Sequence, residues 1–241
     1  MIAKDLGFVM KRHNFRETSV IASFYTMKFG KITGILKGFH TLKKEFSSNL
    51  DLFTLNELIF YPKKSEIWLV SFADLVRDYE YLRKNITAAT AASVFINLTD
   101  RALGPWDKNV EVFNLIKEAL SFLQKENTRK VLCVFLVKFL TLSGFKPEFG
   151  KCLNCHDSIS EETFFSVLRG GLICKKCSNK DHDLKKISRE TIASIFYMQN
   201  NDFIIALRLK PTEECENEMM FILREFLCYH LEFDVFGERL Q

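Results

Sequence analysis

The apolar pattern of this 241-residue chain changes its period once, close to residue 78. Before that point apolar residues alternate as in strands; after it they recur every three or four residues as in helices. Segregation of strands ahead of helices predicts an α+β protein. In the first part Leu6, Phe8 and Met10 alternate with polar or small neighbours. "VIASFYTMKFGKITGILKG" is rich in β-branched and aromatic residues, with a turn expected at Phe29-Gly30. "ELIFYPKKSEIWLVSF" reads as a hairpin folded over Pro62, Lys63, Lys64 and Ser65. About five short strands in so small a span predict a closed barrel, because closure removes exposed strand edges. The polar, basic stretch "KGFHTLKKEFSSNLD" is expected to be a loop between strands.

The second part opens with the Ala-rich "YEYLRKNITAATAASVFINLTDRAL", which should stop at Gly104-Pro105. "NVEVFNLIKEALSFLQK" carries Val112, Leu115, Ile116, Ala119, Leu120 and Leu123 at helical spacing. Thr128 is the expected cap of "RKVLCVFLVKFLTLS", a helix apolar nearly all round and therefore expected to be central and buried. Ser188 is the expected cap of the next helix, and Pro211-Thr212 opens the last one. Four Glu in the first two turns of that last helix suit its positive end.

Between these helices lies "CLNCHDSISEETFFSVLRGGLICKKC", two C-x-x-C pairs. Each pair places two sulfurs on one side of a tight turn, and a hairpin turning at Gly170-Gly171 would bring the pairs together. Cys152, Cys155, Cys174 and Cys177 are thus the expected ligands of a zinc ion. Four thiolates leave the metal no open position, so the expected role is structural and not catalytic. His156 and His182 are read as loop residues and Cys133 as a small core residue. Seven cysteines, four of them in the knuckles, suit a reducing compartment better than a disulfide framework.

Signatures of catalysis are missing. "FGKITG" is not a phosphate loop, since Ile32 follows Lys31 and Tyr25 stands where the first Gly belongs. Dinucleotide, metalloprotease and serine-hydrolase signatures do not occur either, and the chain is read as a non-enzyme. No signal peptide or membrane-spanning run is seen, which gives the expectation of a soluble, cytoplasmic chain without membrane attachment.

Charge is uneven. The first fifty residues hold nine bases and three acids, whereas residues 211–241 hold two bases and eight acids. A basic front predicts an anionic partner. On a small barrel, Lys and Arg would hold phosphates and aromatic residues would stack on bases. The candidates are Lys11, Arg12, Arg16, Lys31, Lys37, Lys43 and Lys44, interleaved with Phe15, Tyr25, Phe29 and Phe39. The alternative, left open here, is a solvated basic face over an aromatic core.

The opening, from Ala3 through Gly38, resembles the RecO family of bacterial recombination mediators. The residues that carry the likeness are Glu17, Ser19, Phe24, Thr26, Gly30, Lys31, Lys37 and Gly38. The cysteine pairs lie where that family carries zinc, and "LREFLCYHLEFDVF" is similar to its final helix. The resemblance implies an oligonucleotide-binding (OB) barrel over residues 1–78, then a helical domain over 79–241 with a zinc ribbon inserted at 151–178. It implies binding of single- and double-stranded DNA, annealing of complementary strands, and loading of RecA with RecR onto DNA coated by single-strand-binding protein (SSB). It also implies a site for the acidic, Phe-ending C-terminal tail of SSB on the helical domain, expected near the last helix with bases such as Arg129 or Lys130. The chain is expected to be monomeric on its own. A short, acidic "DVFGERLQ" ending and a loop poorer in Arg depart from the family pattern. The rival reading from another class is an RNA-binding accessory factor built from the same barrel and ribbon.

Overall fold

The structure is a computed structural model that describes residues 2–41, 46–159, 162–180, 183–232 and 234. It is α+β and divides into two compact units, Met1–Gln124 and Lys125–Gln241.

The first unit begins with the closed barrel. Its strands are β1 (Ala3–Phe15), β2 (Ser19–Thr26), β3 (Gly30–Leu36), β4 (Leu55–Tyr61) and β5 (Ile67–Arg77). They close in the order β1-β2-β3-β5-β4. β1 pairs antiparallel with both β2 and β4, while β3 meets β5 in parallel through Thr33 to Ile35. The hairpin over Pro62–Ser65 falls between strands as read, while the turn expected at Phe29-Gly30 covers residues 27–29 and Gly30 already opens β3. Val9, Phe24, Leu36, Leu58, Phe60, Trp68 and Val70 fill the interior. Gly34 is required by that packing, since a Cβ there would lie 2.4 Å from Val70 Cγ2.

A bulge between Val9 and Lys11 divides β1. Ahead of it, Ala3 to Phe8 pair with β4 on one side, and Gly7 to Val9 with β2 on the other. Beyond it, Lys11 to Phe15 pair with β2, and Lys11 through Asn14 are all exposed.

Helices α1 (Tyr81–Lys84), α2 (Ile86–Ala102) and α3 (Val110–Phe122) complete this unit. Asn85 and Asn109 cap α2 and α3 by accepting the N–H of Ala88 and Val112. Phe113 of α3 covers the outer face of the barrel, 5.0 Å from Phe8 and 6.4 Å from Tyr25 between ring centroids. The α2–α3 connection is seated on β3. Trp106 donates its N–H to the Lys31 carbonyl at 3.0 Å, and Pro105 bridges to Lys31. Gly30 makes this approach possible: it has φ +65° and a Cβ would lie 2.4 Å from the Asp107 carbonyl oxygen.

The second unit is built on α4 (Thr128–Leu142), whose Val131, Cys133 to Val137, Phe139 and Leu140 are buried as expected. Its cap is Asn127, one residue before the expected Thr128. The Asn side chain accepts the N–H of both Arg129 and Lys130, so Thr128 becomes the first helical residue. A four-stranded sheet follows: β6 (Glu148–Cys152), β7 (Thr163–Ser166), β8 (Gly171–Cys174) and β9 (Leu184–Ile187), in the order β6-β8-β7-β9. The chain then returns to helices α5 (Arg189–Asn200), α6 (Phe203–Ala206) and α7 (Glu213–Leu231). Ser188 and Thr212 cap α5 and α7 as read, accepting from Thr191 and Cys215. Among the described residues no helix is long and apolar enough to cross a membrane.

Candidate nucleic-acid interface and metal centre

The metal centre is assembled by two strand ends and the turns after them. Cys152 ends β6 and Cys155 lies in the following turn; Cys174 ends β8 and Cys177 lies in a 3₁₀ turn. Antiparallel pairing of β7 with β8 turns the chain through Val167 to Gly170, where Gly170 takes φ +68°. β8 also pairs with β6, and that brings the two cysteine pairs together. All four sulfurs lie within 4.8 Å of one another. Cys155 Sγ and Cys174 Sγ are 3.8 Å apart. A tetrahedron with metal–sulfur bonds of about 2.3 Å has edges of about 3.8 Å, so the spacing suits zinc.

The electrostatics point the same way. Burial of Cys152 opposes ionisation, but N–H groups of Cys174, Cys155 and Asn154 aimed at its sulfur outweigh this and hold the thiol at about 6. At Cys155 the Asp157 N–H favours the thiolate, yet desolvation and the neighbouring sulfurs prevail and push that thiol up. Four thiolates cannot share this volume without a cation. His156 sits beside the cluster at φ +61° and is exposed. His182 lies outside the described residues. Cys133 is fully buried in α4.

The basic residues of the barrel fall into two groups. Arg16 sits at the tip of the β1–β2 turn with φ +56°, its guanidinium 5.2 Å from the centre of the Phe15 ring. Lys37 follows β3, which pairs Leu36 with Val20 of β2. His40 then ties this segment to the turn: its N–H reaches the Thr18 carbonyl at 3.1 Å, and its Nε2 lies 3.1 Å from Asn14 Oδ1. Arg16 and Lys37 therefore share one rim of the barrel, both exposed. Arg12 bonds the Asn49 carbonyl and lies 3.8 Å from Asp51. The expected Lys43 and Lys44 lie outside the described residues.

Lys11 and Lys31 form the second group, and sequence reasoning missed what joins them. Both converge on Asp100, near the C-terminal end of α2: Lys11 Nζ lies 2.5 Å and Lys31 Nζ 3.4 Å from its carboxylate. Lys31 also donates to the Asp100 backbone carbonyl at 2.6 Å. The sequence separation, 89 and 69 residues, leaves no local signal for this contact.

The aromatic candidates divide as well. Tyr25 is fully buried and gives its hydroxyl to the Asn109 carbonyl at 3.3 Å, so it is not a stacking surface. Burial raises its pKa far above the ordinary phenol value. Phe29 packs edge-on against Phe60 and Trp68. Phe39 packs against Phe46 beside a surface cleft of about 720 Å³ on the loop side of the barrel. Phe15 is half-buried beneath Arg16.

The sequence matches the models of Recombination protein O N terminal over residues 1–79 and Recombination protein O C terminal over residues 83–236. The chain belongs to the RecO family. Relatives carrying the name DNA repair protein RecO match almost end to end. That of Alkaliphilus metalliredigens is 25% identical over 234 residues, 96% of this chain and 95% of the relative. That of Caldicellulosiruptor saccharolyticus is 25% identical over 233 residues, covering 96% and 94%. That of Caldicellulosiruptor bescii is 30% identical over 218 residues, covering 90% and 86%.

Proposed function

We propose that this chain is a non-catalytic mediator of DNA repair and recombination, binding single- and double-stranded DNA and annealing complementary strands. The observation that carries the reading is the exposed rim of a closed five-stranded barrel, where Arg16 in the β1–β2 turn and Lys37 after β3 both face solvent. Lys and Arg on such a rim neutralise phosphates without reading sequence. Two strands held on one cationic surface repel each other less, so pairing starts without nucleotide hydrolysis. DNA binding is assigned to residues 1–78, with Lys11, Arg12, Arg16, Lys31, Lys37, Lys43 and Lys44 as its bases.

In the helical domain, residues 79–241, the four cysteines hold a zinc ion that fixes the fold around it. Lys175 is engaged by Glu162 at 2.5 Å, which leaves the ribbon at most an auxiliary contact to DNA. Together with RecR the protein helps RecA onto SSB-coated strands. The SSB tail docks in a cleft of about 260 Å³ formed by Phe149, Ile159, Ile192, Ala193 and Phe196, with Arg189 at its margin. Apolar walls and one cation suit an aromatic residue followed by a free carboxylate. Lys130 is largely covered and lies 3.8 Å from Glu126, and Arg129 bonds Asn217, so neither is the better receiver.

Annealing of complementary strands precoated with SSB, without ATP and across a salt series, tests the central reading. Acceleration that fades as salt rises supports it; no acceleration by a folded, zinc-loaded chain rejects it. Titration of the labelled protein with the SSB tail peptide tests the cleft, with NMR shifts expected at Phe149 and Ile192.

A further inference from the structure

The second basic group has an aromatic neighbour. Ser23, Lys31, Thr33, Glu66, Asp100, Pro105 and Trp106 line a cavity of about 380 Å³ on the wall of the barrel. Trp106 is 48% exposed, whereas Trp68, the other tryptophan, is 6% exposed and bonded to the Lys63 carbonyl. The backbone that carries the exposed ring is nevertheless held in place. Trp106 has φ +60°, a conformation L residues seldom adopt, and its N–H is fixed on Lys31. The turn around it is closed by the Asp107 N–H on the Gly104 carbonyl at 3.2 Å. A strained backbone that presents a large aromatic surface to water is costly for folding alone, and such strain collects at functional positions.

We infer that Trp106 is a base-stacking platform, a binding residue for single-stranded DNA on the barrel wall beside Lys31 and Lys11. The inference rests on the DNA-binding reading above and adds a contact to it. The charges of the cavity decide its orientation. Asp100 and Glu66 outnumber Lys31, which is already engaged by Asp100, among the charges lining the cavity, and this disfavours a phosphate inside it. A neutral base therefore enters against the indole, and its phosphate stays outside. There the Lys11 ammonium, 58% exposed and with one N–H engaged by Asp100, has donors to spare. Stacking on an aromatic face tolerates every base, which suits a protein acting on strands of any sequence.

The test uses the intact zinc-loaded chain and two readouts on one titration with a labelled single-stranded oligonucleotide: anisotropy of the label for binding, and tryptophan emission for stacking. Binding with quenching of the exposed Trp106, about fivefold or more weaker binding by Trp106→Ala, and near-normal binding by Trp106→Phe support the inference. In Trp106→Phe the quenching should vanish while buried Trp68 still reports an intact barrel. Unchanged affinity of a folded Trp106→Ala, or binding without quenching, overturns the platform and leaves the DNA-binding reading standing. Absence of any anisotropy change removes both.

Discussion

Lys11 Nζ sits 2.5 Å from a carboxylate oxygen of Asp100, an anion carried on α2 and shared with Lys31. Two of the bases that make the front of the chain cationic are therefore partly neutralised inside their own unit. Asp100→Asn removes that neutralising charge from both, while Lys31 keeps its bond to the backbone carbonyl of residue 100. Binding of single-stranded DNA at low salt should tighten several-fold, and its logarithmic salt dependence should steepen by up to about one unit for each lysine freed. A salt series of anisotropy titrations measures both.

The same carboxylate makes the first unit sensitive to acid. Burial opposes ionisation of Asp100, but the hydrogen bond from Lys11 and the charges of Lys31 and Lys11 prevail and lower its pKa. A folded-state value below the unfolded one, about 4, gives stability that is present above that pH. It is lost as pH falls through the folded-state value. Hydrogen exchange of β1 and α2 should rise below about pH 4 in the native chain, and Asp100→Asn should lack this component of the pH dependence.

On the rim, Arg16→Glu and Lys37→Glu should each weaken binding by a similar factor for all DNA sequences. Each should also reduce the salt slope by about one unit or more, the signature of a lost phosphate contact. Neither side chain has an ion-pair partner among the described residues, so thermal stability should stay within about 0.5 kcal/mol. Comparing melting curves with salt-dependent affinities checks the two expectations together.

Removal of the metal should loosen Glu148–Ile187 and the helices of its unit before it touches the barrel. Hydrogen exchange after chelation should rise first in β6 to β9, with β1 to β5 protected. Elemental analysis should give one zinc per chain, abolished by Cys174→Ser. Unchanged exchange throughout would show that the cluster has no structural role.

Inside the barrel, Gly34→Ala should destabilise by about 1–3 kcal/mol, because its new methyl meets Val70 Cγ2 at 2.4 Å. Val70→Ala made with it removes that methyl, so the double substitution should cost less than the sum of the two single ones. Denaturant unfolding of the four variants measures the coupling.

Local periodicity was enough to read five strands, the main helices and the four sulfurs, because each depends on neighbours in the sequence. Ser188 and Thr212 cap their helices for the same reason: a side-chain oxygen lies three residues from the N–H it accepts. For Tyr25 the core reading left open in the sequence holds, because β2 is covered on both faces. Its alternate residues point into the barrel, and Tyr25, on the other face, meets Phe113 of a helix some ninety positions later. Asp100 and Trp106 gave no sign of themselves. Each matters only through a partner on β1 or β3, and pairing at that distance is a property of the fold. Lys43 and Lys44 were legible as charge, but they fall outside the described residues.

Past the bulge in β1, Lys11 to Phe15 are paired by β2 on one side, and among the described residues no ladder continues on the other. An unpaired strand edge is a template for joining another chain, and basic side chains are a common guard against it. Lys11 and Arg12 lie on that stretch and would serve as such a guard beside the DNA contact proposed for them. Neutralising them should expose a second fault: the purified protein would associate through that edge and leave solution as its concentration rises.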